Sequence, residues 1–378
     1  MYRYLLLLAV LCQACGADRT EPLANSTWLI ANQRTIEGNF TRVLGPGLLT
    51  FGSDSMWVTT VQGIRRAGDA YSMRGDSLFG DSLPYRAIRL LTEDSLILRT
   101  TDGSAETIFL RLPEGIEASE DSLTDLLSHN VYRWQDGPTT RTFYYQPDLI
   151  PDSLRIGLSR YLLVFNEHND KAGFANYTWN VRGVAGRTIL THDDHSLDQN
   201  IFTLTGAGED LTAKLISTIY GHERSPVVLE HRTLPTAAYA QRRDDLLGQW
   251  QLDTIHSPVD SDLEGNQSVQ RLQQYHKRRI FLPQYLTEHP VRLSFSEGKY
   301  GLSVGGYPLV NEGRWALTGD GRFVQFDDFV IGDEFMEIRE ITVDTLLVTL
   351  VVYLDTRGTG TWVVPQRLEM VFRRMGSY

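Results

Sequence analysis

The sequence predicts an all-β chain of three tandem antiparallel barrels. Strand-length runs of Val, Ile, Leu, Tyr, Phe and Thr recur from Trp28 onward, broken by Gly, Asp and Ser. No long helical periodicity competes with them. Four landmarks also return three times in one order, which marks an internal repeat. Each copy has room for about eight short strands, near the number that closes a barrel around side chains or one small ligand. Strand patterning alone leaves a two-sheet sandwich open as the alternative.

At 378 residues the chain is long enough for two to four domains. Its 36 basic against 47 acidic side chains give a net charge of −11, which argues against a nucleic-acid binder. The only cysteines are Cys12 and Cys15, so the body of the chain has neither a disulfide framework nor a thiolate zinc site.

The chain opens MYRYLLLLAVLCQACGAD. Arg3 supplies charge, and the apolar run from Tyr4 to Leu11 is too short for a bilayer, which takes about 20 residues. Ala14 before Cys15 resembles the lipobox of bacterial lipoproteins, with Cys12 standing where that family usually has Leu. The resemblance implies lipid attachment at Cys15 and a short tether over 16–24. Gly16 in place of Asp implies outer-membrane rather than inner-membrane anchoring. A plain secreted protein cut near Ala14, or a buried apolar N-terminus, is the alternative.

The first landmark is Leu49-Thr50-Phe51, matched by Leu163-Val164-Phe165 and Leu293-Ser294-Phe295. Next come Tyr71-x-Met73-x-Gly75, Trp179-x-Val181-x-Gly183 and Trp315-x-Leu317-x-Gly319, where glycine suits a tight hairpin. Then Ile88-x-x-Leu91-Thr92, Ile201-x-x-Leu204-Thr205 and Ile338-x-x-Ile341-Thr342 each precede an acidic turn and a strand. Each unit finishes on a basic residue, at Arg111, Arg232 and Arg373-Arg374. The units start at Trp28, near Trp134 and at Trp250. Aligning Asp125-Leu126-Leu127-Ser128 with Asp245-Leu246-Leu247-Gly248 instead sets Asn130 opposite Trp250. The expected domains are 25–113, 125–234 and 244–375. Polar joins run from Glu114 to Thr124 and from Pro235 to Asp244, the second holding a short helix near Ala237–Arg243. The stretch Gly265 to Arg279 suits an amphipathic helical insertion in the third unit.

Leu247-Gly248-Gln249-Trp250 resembles the Gly-x-Trp signature of the lipocalins. That resemblance implies a tryptophan closing one barrel end under an arginine from the last strand, here Arg373 or Arg374, through a cation–π contact. Trp28 with Arg111 and Trp134 with Arg232 would repeat it. The whole chain after the tether thus looks like three tandem lipocalin-like (calycin-type) barrels, of the kind found in lipoproteins of Bacteroidota.

Chemical motifs are sparse. There is no Gly-x-Ser-x-Gly elbow, phosphate loop or His-Glu-x-x-His helix, so no enzyme, metal or cofactor is expected. His192-Asp193-Asp194-His195 occupies a slot that reads Phe326-Asp327-Asp328 and Gly80-Asp81-Ser82 in the other units, which identifies a hairpin bend rather than a ligand set. Trp250, Tyr300, Trp315, Trp362 and Arg373 are the candidate ligand-binding residues, for a small apolar molecule in the third barrel. Core packing is the competing reading of the aromatics, because their slot repeats in every unit. The expectation is therefore a lipid-anchored envelope protein whose barrels bind a small apolar ligand or an envelope partner, or else a structural lipoprotein with filled barrels.

Overall fold

The computed structural model describes residues 23–35, 40–41, 47–60, 65–80, 85–145, 160–168, 171–193, 199–217, 224–256, 289–327, 335–352 and 366–376. Cys15, Trp362, the 265–279 stretch and His195 lie outside the described residues.

The chain is all-β, and its strands close into two barrels and nearly close into a third, rather than forming a sandwich. The first barrel comprises β1 (Ser26–Thr35), β2 (Phe40–Thr41), β3 (Gly47–Phe51), β4 (Ser55–Thr60), β5 (Arg65–Ala70), β6 (Ser72–Arg74), β7 (Ser77–Phe79), β8 (Tyr85–Leu91), β9 (Ser95–Thr100) and β10 (Ala105–Arg111). Its order is β5-β4-β3-β1-β10-β9-β8-β7-β6, with β2 beside β1. Only Tyr71 separates β5 from β6, so the two act as one strand. Its first half pairs with β4 and its second with β7, which nearly closes the barrel.

The second barrel is closed and comprises β11 (Val131–Asp136), β12 (Thr139–Tyr145), β13 (Tyr161–His168), β14 (Lys171–Val184), β15 (Arg187–Asp193), β16 (Gln199–Ala207), β17 (Leu211–Ser217) and β18 (Arg224–His231). The third, also closed, comprises β19 (Gly248–His256), β20 (Val291–Ser296), β21 (Lys299–Val304), β22 (Tyr307–Leu317), β23 (Phe323–Phe326), β24 (Phe335–Ile341), β25 (Thr345–Val352) and β26 (Gln366–Arg374).

Alternation along the strands points one face inward. In β20 the buried Val291, Leu293 and Phe295 alternate with Arg292, Ser294 and Ser296. With Trp250, Tyr300, Trp315, Phe326, Met336, Leu346, Met370 and Phe372 they fill the third barrel. Trp28, Phe51, Tyr71, Leu96 and Phe109 do the same in the first.

Several landmarks have direct structural causes. Thr92 and Thr342 brace the hairpins Thr92–Ser95 and Thr342–Thr345. In each, the threonine N–H donates to the carbonyl three residues on (2.8 Å in both), and its Oγ1 accepts that residue's N–H (3.0 Å in both). Tyr71 and Trp315 sit where the fourth strand changes partner. Tyr71 meets Phe51 edge-on at 5.2 Å and Trp315 meets Phe295 edge-on at 5.1 Å.

One landmark slips. Leu49-Thr50-Phe51 and Leu293-Ser294-Phe295 lie on the strand that pairs with the first strand of their barrels. In the second barrel that place belongs to Phe143-Tyr144-Tyr145, and Leu163-Val164-Phe165 falls one strand later, on β13. Both segments are apolar and aromatic, so composition does not tell them apart.

Two helices join the barrels. The first, α1 (Glu120–Ser128), begins with Glu120 and Asp121, which suit the positive end of its dipole. Leu123 and Leu127, one turn apart, are both buried. The second, α2 (Thr236–Leu246), contains the expected Ala-rich helix and extends it to the buried Leu246.

The chain divides into two compact units, 1–123 with 179–227 and 124–178 with 228–378. In the first unit, Leu29, Leu48, Leu110 and Leu112 pack against Ile189, Ile201 and Ile216. The join after Glu114 is docked there rather than free. Ile116 donates to Leu204 O and accepts from Thr188 N–H, both at 2.8 Å, and Ala118 N–H donates to Thr188 Oγ1 at 2.8 Å. Edge backbone seeking hydrogen-bond partners outweighs the polarity of the segment. In the second unit, Val131, Tyr144, Leu163 and Phe165 share a cluster with Phe323 and Phe335.

Candidate functional site

The end of the third barrel where β19 begins is sealed from the residues upward. Trp250 is fully buried, and its Nε1–H donates to Leu246 O at 2.8 Å. The Arg374 guanidinium lies 4.2 Å from the Trp250 ring and donates to Leu247 O at 2.7 Å, Asp245 O at 2.6 Å and Val343 O at 2.5 Å. Gly248 has φ +126°, and a Cβ there would stand 3.0 Å from Arg374 Nη1. The Gly-x-Trp pattern therefore reflects backbone conformation and arginine access together. Of the two candidate arginines, Arg374 seals the end. Arg373, on the alternate face of β26, points outward to Asp253 at 3.2 Å and Thr345 Oγ1 at 2.9 Å.

The first barrel repeats this with Trp28 beneath Arg111 at 5.9 Å, and Ser26 Oγ accepts the indole N–H at 2.7 Å. The second departs from expectation. Trp28 pairs with Arg111 and Trp250 with Arg374, but the matching pair is Tyr132 with His231. These two rings meet edge-on at 5.8 Å, and His231 Nε2 is 2.9 Å from Asn130 Oδ1. Trp134 instead packs against Arg141 at 5.1 Å, while Arg232 pairs with Glu230.

Tyr300 and Trp315 belong to the packed interior with Trp250. Tyr300 lies over Gly313 on the neighbouring strand, where a Cβ would come within 2.2 Å of its ring. Trp315 Nε1–H donates to Ser296 O at 2.8 Å. His192 is buried against Phe202 at 4.9 Å.

A cavity of about 370 Å³ opens in the second unit between the end of α1, the start of α2 and β22–β23. Its lining holds His129 but no carboxylate, lysine or arginine, with Asn130, Tyr145, Thr233, Thr318, Tyr239 and Gln325 among it. Several of these polar groups are engaged internally: Thr233 Oγ1 accepts Val131 N–H at 2.8 Å, and Tyr239 OH donates to Leu317 O at 3.0 Å. Burial pushes the Tyr145 phenol well above its ordinary pKa, so it stays a neutral donor at physiological pH.

Beside it lies a half-buried ion network around the buried Glu337. Arg322 grips Glu167 at 2.7 and 2.9 Å and donates to Glu337 Oε1 at 2.7 and 2.9 Å, where Arg339 adds a bond at 3.1 Å. Burial opposes the Arg322 charge, yet its bonds to the two glutamates outweigh that and raise its pKa. Tyr144 OH donates to Asp320 at 2.9 Å; burial first and the Asp320 charge second push this phenol far up. Sequence reasoning missed this network because Glu167 and Arg322 are 155 positions apart.

No protein-family model matches the chain, and no curated protein matches it. Among solved structures, the chain is similar to a double mutant of the vaccine antigen Transferrin Binding Protein B from Haemophilus parasuis Hp5. The identity is 9%, covering 93% of this chain and 76% of that one, with a TM-score of 0.17. It is also similar to the DNA polymerase III subunit beta from Pseudomonas aeruginosa, at 10% identity over 94% of this chain and 92% of that one, with a TM-score of 0.16. At TM-scores this low neither likeness carries an argument. Among the described residues no helix is long and apolar enough to cross a membrane.

Proposed function

We propose that this chain is a lipid-anchored protein of the cell envelope, attached to the outer membrane through Cys15. Its barrels form a packed, non-enzymatic frame that binds an envelope partner by their outer surfaces. The observation that supports the frame is the filled third barrel: Trp250, Tyr300, Trp315 and Phe326 are each at most 5% exposed. Cys15→Ala tests the anchor. Loss of acyl labelling is expected, with the chain left uncut or released from the membrane fraction, and a normally processed, membrane-retained variant would sink it.

A second reading, a small apolar ligand at the opposite end of the third barrel, draws on one feature. The β21–β22 hairpin at that rim exposes Tyr307 (78%) and Leu309 (38%). Titration of the full chain with a fluorescent fatty acid separates the two. The frame reading expects no saturable binding at micromolar concentration. Saturable binding that Tyr307→Ser weakens would favour the ligand reading.

A further inference from the structure

The outer wall of the first barrel carries a cationic face whose residues are scattered in sequence. Strand register gathers them, setting Arg34 (β1) against Glu106 (β10) and Glu106 against Arg99 (β9). A bulge between Ile88 and Leu90 on β8 accompanies outward exposure of Arg89 and Leu90. Glu106 then receives three arginines: Arg34 Nη2 at 3.0 Å, Arg99 Nη2 at 3.3 Å and Arg89 Nε at 3.5 Å. The carboxylate side chain is only 12% exposed, whereas those of Arg34, Arg89 and Arg99 are 37%, 54% and 32% exposed. One half-buried anion thus holds three cations at the surface, with two positive charges in excess.

Apolar groups flank these charges. Leu90 (43% exposed) pairs with Ile97 beside Arg99, and Phe79 (49% exposed) stands on β7 with the Arg74 guanidinium 5.6 Å from its ring. Arginines mixed with exposed Phe and Leu suit the headgroup boundary of a bilayer. Charge distribution agrees. Residues 26–112 contain nine arginines, no lysine and nine carboxylates, so the −11 of the chain lies outside the first barrel.

We propose that the outer face of the first barrel around Arg34, Arg89 and Arg99 docks on anionic lipid headgroups. This rests on the envelope reading, and the tether length supports it. Eight residues lead from Cys15 to the buried Leu23, a reach of about 28 Å when extended. Arg34 lies about 20 Å along β1 from Trp28. Anchor and arginine face therefore reach the same bilayer plane when the first barrel lies on its side.

The test uses the full, unacylated chain carrying Cys15→Ala, with vesicles of phosphatidylcholine alone or with 30% phosphatidylglycerol as an arbitrary anionic fraction. Sedimentation with the anionic vesicles only is expected, lost at high salt and unaffected by millimolar inorganic phosphate. Arg89→Gln, on the most exposed of the three, should weaken binding about fivefold, and the triple Arg→Gln variant about a hundredfold. Glu106→Gln should strengthen binding about threefold to fivefold, since it removes the competing anion. A merely structural cluster would not produce that opposite sign. Equal binding to both vesicle types, an unaltered Arg89→Gln variant, or competition by free phosphate would overturn the proposal. Because acylation plays no part in this assay, its outcome is independent of whether Cys15 is the anchor.

Discussion

Arg374 shows how one side chain can join a barrel's ends. It faces Trp250 and three backbone carbonyls that lose their donor when it is removed. Arg374→Gln should cost about 2 kcal/mol, from the half-buried cation–π contact and the two part-buried carbonyls of Asp245 and Leu247 left without their donor. Arg373→Gln, one position away but exposed, should change stability by less than about 0.5 kcal/mol. Denaturant titration of the two variants measures the contrast; equal losses would mean the seal is not where the geometry puts it.

Glu106 makes a pH prediction. Burial alone would raise its pKa, but hydrogen bonds from Arg34 and Arg99 outweigh that and hold it below its ordinary 4.5. Asp102 is drawn down to about 2, first by the Thr100 hydroxyl and then by the Ser104 amide and hydroxyl. A depressed carboxylate contributes stability above its unfolded pKa and loses it as pH falls through the folded value. The melting temperature should therefore fall as pH drops below 4.5, and Glu106→Gln should flatten part of that slope. An identical slope in the variant would count against the carboxylate's role.

Among the elements, the segment after the first barrel leaves no room for added volume. Gly115 runs against β16 so closely that a Cβ would lie 2.6 Å from Leu204 O and 2.7 Å from Thr203 Cγ2. Gly115→Ala should destabilise by about 1–3 kcal/mol, the usual range for forced overpacking. Limited proteolysis should show faster cutting near 115 in that variant than in the parent.

Much of this architecture was legible in the residues. The Thr92 and Thr342 turns, the paired aromatics and the Ala-rich α2 carry local causes that a sequence displays. The Tyr132–His231 floor was not legible. A tyrosine and a histidine do the packing done elsewhere by tryptophan and arginine, and nearby Trp134 offered a false match. The arginine face was hidden for another reason: Arg34 and Glu106 are 72 positions apart and meet only through strand register.

For the whole molecule, the Arg322 network sets how far the second and third barrels are independent. The Glu337 side chain is only 1% exposed and depends on Arg322 and Arg339 for compensation. Removing one partner of such a buried pair typically costs about 3–5 kcal/mol, because a charge is left unmatched. Arg322→Leu should therefore lower the melting temperature sharply. A third barrel expressed alone, as residues 236–378, should melt below the same barrel in the full chain, since it lacks Glu167 and the aromatic cover of Phe165 and Phe174. Equal melting would show the barrels to be energetically separate.

The pairing of first strand with last also governs how quickly each barrel is made. Trp250 meets Arg374 across more than a hundred intervening residues, whereas hairpins such as β20–β21 join neighbours. Contacts between distant residues incur the chain's closure entropy before they return any stabilisation, so they form late. The seal should then be absent from the folding transition state. A substitution there would accelerate unfolding and leave refolding nearly untouched. Stopped-flow measurements on Arg374→Gln should show the unfolding limb of the chevron raised and the folding limb superimposed on the parent's. Wherever proteases sample the unfolded chain, such a seal would act chiefly as a latch on the unfolding rate, lengthening the lifetime of the folded barrel.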